Sequence, residues 1–231
     1  MINAIAQNLK ITRERIVAAE KRAARMPGSV ELLAVSKKWS AEVIAEAAAA
    51  GQLAFGENRV QELVAKVPVL APDLRWHLIG HLQKNKVKKV LPLVGDIHSI
   101  DSLSVLRAVD REAGKIGVRR RIFLQVNIGE DPAKHGFQAE ELAENGVLEA
   151  CDGLENLDLA GLMTIPPFSE TAEGARRYFA ALRELRDKVT ARTGTALPGL
   201  SMGMSGDYEV AIEEGATVVR VGSSIFGQRP R

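Results

Sequence analysis

The chain has 231 residues, 46% of them hydrophobic and 26% charged, and its 31 Lys plus Arg against 29 Asp plus Glu leave a formal net charge of +2. This is globular composition, which excludes a disordered chain, a collagen-like repeat and a disulfide scaffold, and the charge is too balanced for a protein built to grip a nucleic-acid backbone. The lone Cys151, a charged amphipathic start unlike a signal peptide and no apolar run of bilayer length predict a reduced, cytoplasmic protein without membrane contact.

Ile5, Leu9, Ile16 and Val17 recur at helical spacing, predicting a leading helix over 1–26 that Met26-Pro27-Gly28 ends. From there the chain alternates short apolar runs with longer charged, Ala-rich segments. The runs begin near Val30, Leu53, Arg75, Asp96, Ile122, Asp158, Leu197 and Thr217, and each except the last precedes a helix-forming segment. Eight strands alternating with helices predict an α/β fold, a (β/α)8 TIM-type barrel with an extra N-terminal helix, ahead of a doubly wound open sheet. Length alone allows one large domain or two small ones; the strand count favours one, over 1–231.

Polar residues gather where the runs end: Ser36-Lys37, Glu57-Asn58-Arg59, His81, Asp101, Asn127, Thr164, Ser205 and Arg220-Gly222-Ser223. In a barrel those ends form one rim, the face on which sites are built. Lys37 closes the first run, where partial desolvation favours a neutral amine able to form a Schiff base. Lys38 is expected to point the other way by strand alternation. After the seventh run, Ser205 and Gly206 precede a short helix with Asp207 at its capping position; after the eighth comes Gly222-Ser223. Both places suit an anion held by backbone N–H groups.

Other chemistries lack their patterns. His77 and His81 are four apart, but Gly80 intervenes and the stretch reads as strand then loop, so a helical zinc pair is not expected and no metal is predicted. No Walker loop, GxGxxG or GxSxG elbow is present. The stretch Lys84 to Lys89 carries four Lys and reads as a solvated helix face, with a basic interaction surface as the alternative.

AVSK at Ala34 to Lys37, FGENRVQE at Phe55 to Glu62, WHLIGHLQKNK at Trp76 to Lys86, HSID at His98 to Asp101, QVN at Gln125 to Asn127, GLMTIPP at Gly161 to Pro167, LSMGMSGD at Leu200 to Asp207 and VRVGSSIFG at Val219 to Gly227 together resemble the pyridoxal phosphate homeostasis protein family. The resemblance runs from about Leu32 to Gly227 and implies a barrel similar to the N-terminal domain of alanine racemase. It implies that Lys37 holds pyridoxal 5′-phosphate as an internal aldimine, and that Arg220 faces the pyridine nitrogen. Ser205 with the Gly222 and Ser223 backbone would then hold the phosphate, with Asn58 and His77 as rim residues of less defined role. Lys38-Trp39 departs from many relatives and leaves the ring-side contact open.

A guanidinium opposite the pyridine nitrogen disfavours its protonation and weakens the ring as an electron sink. A racemase also needs a second base, a Tyr from a separate domain in the alanine racemases, and here only Tyr178 and Tyr208 are present. A barrel and one helix use essentially all 231 residues. The expectation is therefore a protein of pyridoxal phosphate homeostasis and not an enzyme; a weak pyridoxal-phosphate-dependent amino-acid racemase is the alternative. Expected partners are the cofactor itself, free amino acids and pyridoxal-phosphate-dependent apoenzymes, met as a monomer or weak dimer.

Overall fold

Every apolar run pairs with parallel neighbours and the eighth strand pairs back with the first, so the sheet closes into an eight-stranded barrel. The structure, a computed structural model, describes residues 4–143 and 146–228. Its strands are β1 (Glu31–Val35), β2 (Ala54–Glu57), β3 (Arg75–Leu78), β4 (Asp96–Ile100), β5 (Arg120–Gln125), β6 (Leu157–Met163), β7 (Gly199–Met204) and β8 (Val218–Val221). Each begins within two residues of its predicted start. The seventh begins at Gly199 because Pro198 has no N–H to give the ladder.

The helices are α1 (Ala4–Arg22), α2 (Ala41–Ala49), α3 (Val60–Lys66), α4 (Val87–Val90), α5 (Leu103–Ile116), α6 (Ala139–Ala143), α7 (Gly146–Asp152), α8 (Ala172–Thr193), α9 (Tyr208–Glu213) and α10 (Ser223–Phe226). The last strand is thus followed by a helix after all, a single turn that the short tail hid. The leading helix stops at Arg22, earlier than predicted. Ala24 takes the left-handed conformation (φ 54°) and Arg25 N–H bonds the Glu20 carbonyl at 2.8 Å, closing the helix end four residues before Gly28. Glu20, fully buried, then accepts from the Gly28 and Val30 N–H groups and the Ser29 hydroxyl, turning the chain into β1.

Alternation along each strand divides the core. Outward residues pack against the helices, while Leu33, Val35, Ala54, Ile79, Phe123 and Val218 belong to a separate apolar cluster inside the barrel. Counting on from Val218 brings the inward phase to Arg220. Helix α1 covers the β8 side: Asn8 Nδ2 donates to the Ile225 carbonyl at 2.9 Å, and Arg25 Nη1 to that of Ala216 at 2.6 Å. Among the described residues, no helix is long and apolar enough to cross a membrane.

Candidate functional site

Lys37 and Lys38 lie beyond β1 in a turn closed by the Trp39 N–H on the Ser36 carbonyl at 3.1 Å. The turn, not strand alternation, sets them apart: Lys38 takes φ 67° and is exposed, whereas Lys37 is half-buried. A cluster of charges holds the turn from behind. Lys66 Nζ bonds the Ser36 carbonyl at 3.0 Å and the carboxylates of Glu57 and Glu62 at 2.7 Å each. Glu57 accepts from the Ser36 hydroxyl at 2.7 Å, and Glu62 accepts from the Lys38 N–H at 2.7 Å. Both peptide groups flanking Lys37 are thereby fixed. Burial pushes the Glu57 carboxyl upward against the pull of Lys66. Burial acts on Glu62 too, but the Lys66 ammonium and the Lys38 N–H outweigh it and hold that carboxyl low.

Strand β8 lies beside β1, with Ala34 opposite Val221. The Gly222 backbone follows directly, so close that a Cβ there would stand 3.2 Å from the Val35 carbonyl oxygen. Ser205 Oγ accepts from the Gly222 N–H at 3.1 Å and the Ser224 N–H at 3.4 Å, so the loops after β7 and β8 converge on one oxygen. Ser223 is exposed at the same edge. Trp39 packs its ring on Phe226 of α10 at 5.9 Å, which ties the Lys37 turn to this edge. The Asp207 side chain does not cap α9; it turns back to accept from the Met204 N–H at 2.6 Å, which tightens the turn that carries Ser205.

Arg220 and His77, predicted at the rim, sit below it inside the barrel, 4% and 3% exposed. They are inward residues of β8 and β3, not of the loops. Arg220 donates to the Ser201 carbonyl at 2.6 Å, the Ser201 hydroxyl at 2.8 Å and the Thr164 carbonyl at 2.8 Å, all neutral acceptors. Burial lowers its pKa to about 10, so the guanidinium still carries its charge at neutral pH. His98, fully buried, continues the chain: its Nδ1 lies 2.8 Å from Ser201 Oγ and its Nε2 3.0 Å from His77 Nδ1. Arg220 can only donate, so the serine hydroxyl accepts from it while sharing a second hydrogen bond with His98 Nδ1. Burial, and after it the charges of Arg75 and Arg121, lowers His77 to about 3. Burial, and after it the neighbouring His77, holds His98 well below its ordinary value too, and both rings are neutral.

Asn58 is half-buried and lines a cavity of about 270 Å3 at the mouth with Gly80, His81, Asn127, Lys134 and His135. Of the other polar run ends, Thr164 is fully buried and Asn127 clamps its own loop, donating to the Asp131 carbonyl at 2.9 Å. The structure therefore brings together Lys37, Ser205, Gly222 and Ser223 at one edge with Arg220 beneath, while His77 joins only through Ser201 and His98. Ser201, His98, Glu57, Glu62 and Lys66 had no assigned site role from sequence. The inward phase could have found Ser201 and His98, whereas the burial of Glu57 and Lys66 leaves no signal in the sequence. Tyr208 is 2% exposed with its hydroxyl unpartnered, and the Tyr178 hydroxyl accepts from Arg177 on the outside of α8. Neither offers a poised base.

The family model for the alanine racemase N-terminal domain matches residues 2–230. The pyridoxal phosphate homeostasis protein of Aquifex aeolicus is 45% identical over 217 residues, 94% of this chain and of its own. That of Escherichia coli K12 is 39% identical over 236 aligned positions, covering 99% and 98%. The structure of PipY from Synechococcus elongatus with PLP bound superimposes with a TM-score of 0.85 at 39% identity, over 96% of this chain and 100% of that one. Alanine racemase from Corynebacterium glutamicum, 18% identical with a TM-score of 0.69, shares the fold over 61% of its own length. Matched along nearly its whole length by relatives of that similarity, the chain belongs to the pyridoxal phosphate homeostasis protein family, built on the alanine racemase N-terminal fold.

Proposed function

We propose that this protein binds pyridoxal 5′-phosphate through Lys37 and holds it in reserve for vitamin B6 homeostasis, without turning over a substrate of its own. The observation that carries this is the closure of the barrel between β1 and β8. It brings the turn that carries Lys37 to the edge where the Gly222 and Ser224 N–H groups converge on Ser205, near a buried guanidinium that among the described residues is bonded by neutral acceptors. An amine, convergent N–H groups and a cation fit a phosphorylated aldehyde. The amine condenses with the aldehyde and releases one water, while Ser205 and the backbone of Gly222 and Ser223 take the phosphate. When bound, the cofactor supplies an electron-withdrawing ring.

Arg220 keeps its protons and orients its guanidinium through Ser201 and Thr164; having no lone pair, it would donate an N–H to a pyridine nitrogen facing it and could not accept a proton from a pyridinium. A ring left unprotonated is a poor sink, which favours holding over catalysis. Asn58 faces the mouth beside the site. Free amino acids and cofactor-requiring apoenzymes are the partners this reading expects, and residues 1–231 are taken as one binding domain.

The test is an absorbance titration with pyridoxal phosphate, followed by borohydride reduction and peptide mapping. One cofactor per chain, trapped on the peptide carrying Lys37, is expected, and Lys37→Ala should lose the visible band while keeping its fold. A label on any other lysine, or an unchanged band in the variant, overturns the assignment. Sustained Lys37-dependent conversion of L-alanine to D-alanine would replace the storage reading with the racemase.

A further inference from the structure

The two histidines that are close in sequence part company in the barrel. His77 points inward, where His98 has both ring nitrogens engaged and no lone pair to offer an ion. His81 lies at the mouth, where β3 ends, and meets Asp101 from the end of β4 and His135 from the loop after β5. His81 Nδ1 is 2.6 Å from Asp101 Oδ2, His135 Nδ1 is 3.9 Å from the same oxygen, and the two rings stack at 3.9 Å and 11°. All three ligand atoms lie within 4.8 Å of one another. From these positions we propose that His81, Asp101 and His135 form a binding site for a divalent transition-metal ion of the zinc class.

The chemistry selects the ion. Two imidazoles and one carboxylate suit zinc, nickel or copper, whereas magnesium and calcium prefer oxygen donors throughout. Around a tetrahedral zinc with bonds of 2.0–2.2 Å, neighbouring ligand atoms stand about 3.3 Å apart. The separations of 2.6 and 3.9 Å bracket that value, and the exposed His135 ring must turn out of its stack on His81 for both lone pairs to converge on the ion. The ion takes the space of the proton shared by His81 and Asp101, and that proton moves to the other nitrogen of the imidazole. Three protein ligands leave a fourth position open toward the cavity shared with Asn58 and Lys134.

The backbone bearing these ligands is held before any ion arrives. Ser99 Oγ donates to the Gly80 carbonyl at 2.6 Å, next to His81, and a Cβ on Gly80 would strike the Asn58 carbonyl at 2.2 Å. Gln125 Nε2 holds the His135 carbonyl at 2.9 Å, and Gly136, at φ 134°, lets the loop lie against β5. Asp101 is 5% exposed and His135 61%, an arrangement with one anchored acid and one ligand open to solvent.

Titration calorimetry of the full chain with zinc ion alone, with and without pyridoxal phosphate, tests the site independently of the cofactor reading. One equivalent is expected to bind, and magnesium not to. Exposed His135→Ala should weaken zinc at least about tenfold with no change in melting temperature, as even loss of an outer-shell partner costs that much. His135→Cys should restore binding, because a thiolate can ligate zinc. Cys151→Ser should leave it untouched. Absence of zinc binding in the wild type, or equal binding in the wild type, His135→Ala and His81→Ala, overturns the proposal.

Discussion

The two flanks of the barrel mouth are held by different physics. At β1 and β2, the turn carrying Lys37 rests on full charges: one ammonium shared by two carboxylates and a carbonyl, with Glu57 fully buried and the Lys66 side chain 10% exposed. At β7 and β8, the guanidinium of Arg220 rests on two carbonyls and a hydroxyl, and the neutral rings of His98 and His77 extend the chain of hydrogen bonds inward. The first arrangement fixes a backbone and keeps its charge away from the mouth. The second leaves a buried cation that no acid touches among the described residues, with Asp207 acting on it only at longer range. Under the proposed function the Lys37 amine would be positioned by rigidity, and the adjoining edge would offer its charge to a group rich in electrons. The charged flank should dominate stability, and the neutral one should govern affinity and the response to acid.

The largest effect tests the charged flank. Lys66→Met leaves the buried Glu57 carboxylate facing Glu62 with no cation, and breaking a buried pair from one side costs about 3–5 kcal/mol. Urea unfolding should show that loss, and pyridoxal phosphate loading should fall as the Lys37 turn loosens. Removing both charges in Lys66→Met/Glu57→Gln should recover much of the stability, because the uncompensated carboxylate is then gone. A single-variant cost under about 1 kcal/mol would show the cluster to be incidental, no stronger than an exposed surface pair.

Acid sharpens the contrast from the other side. In the unfolded chain a histidine takes a proton near pH 6.5, whereas folded His77 takes one only near 3 and His98 only well below 6.5. Each therefore lowers stability as pH descends below 6.5, His77 doing so down to about 3. Asp96 works the opposite way. Burial raises its carboxyl from 3.8 to about 6, so the folded state carries an extra proton between those values and gains stability as pH falls through 6. Within this cluster two histidines stand against one carboxyl, so acid should destabilise it as pH falls from 6 toward 4. His98→Gln removes one histidine and should flatten that limb; an unchanged slope in the variant would mean that these buried rings do not set acid sensitivity.

Much of this architecture was legible in the sequence because barrel strands are short apolar runs whose ends carry polar residues. Lys37, Ser205 and Gly222 stood out because each follows such a run directly. Arg220 and His77 were misplaced upward because run order locates a residue along a strand but not its depth, which depends on the register at which β8 returns to β1. The Lys66 cluster joins a strand to the far end of the following helix, a spacing without periodic signature. His135 reaches His81 only because Gln125 and Gly136 fold one loop back onto its own strand. The helix end at Ala24 was hidden because a left-handed closure usually announces itself with glycine.

The smallest effect discriminates two ways the neutral edge could work. Ser205 Oγ accepts from the Gly222 and Ser224 N–H groups, the donors a bound phosphate would use. If the hydroxyl donates its own proton to the phosphate while accepting from the backbone, Ser205→Ala loses a hydrogen bond to a charged group worth about 1.5 kcal/mol, and affinity for pyridoxal phosphate falls about tenfold. If the hydroxyl instead occupies the anion's place, the same variant frees two donors and affinity rises. Ser205 is half-buried, so water can replace its backbone contacts and the melting temperature should hold in either case. We expect the tenfold loss, because the hydroxyl proton has no other acceptor on this edge as strong as a phosphate oxygen. A gain in affinity at constant stability would transfer the phosphate-holding role from Ser205 to the Gly222–Ser224 backbone alone.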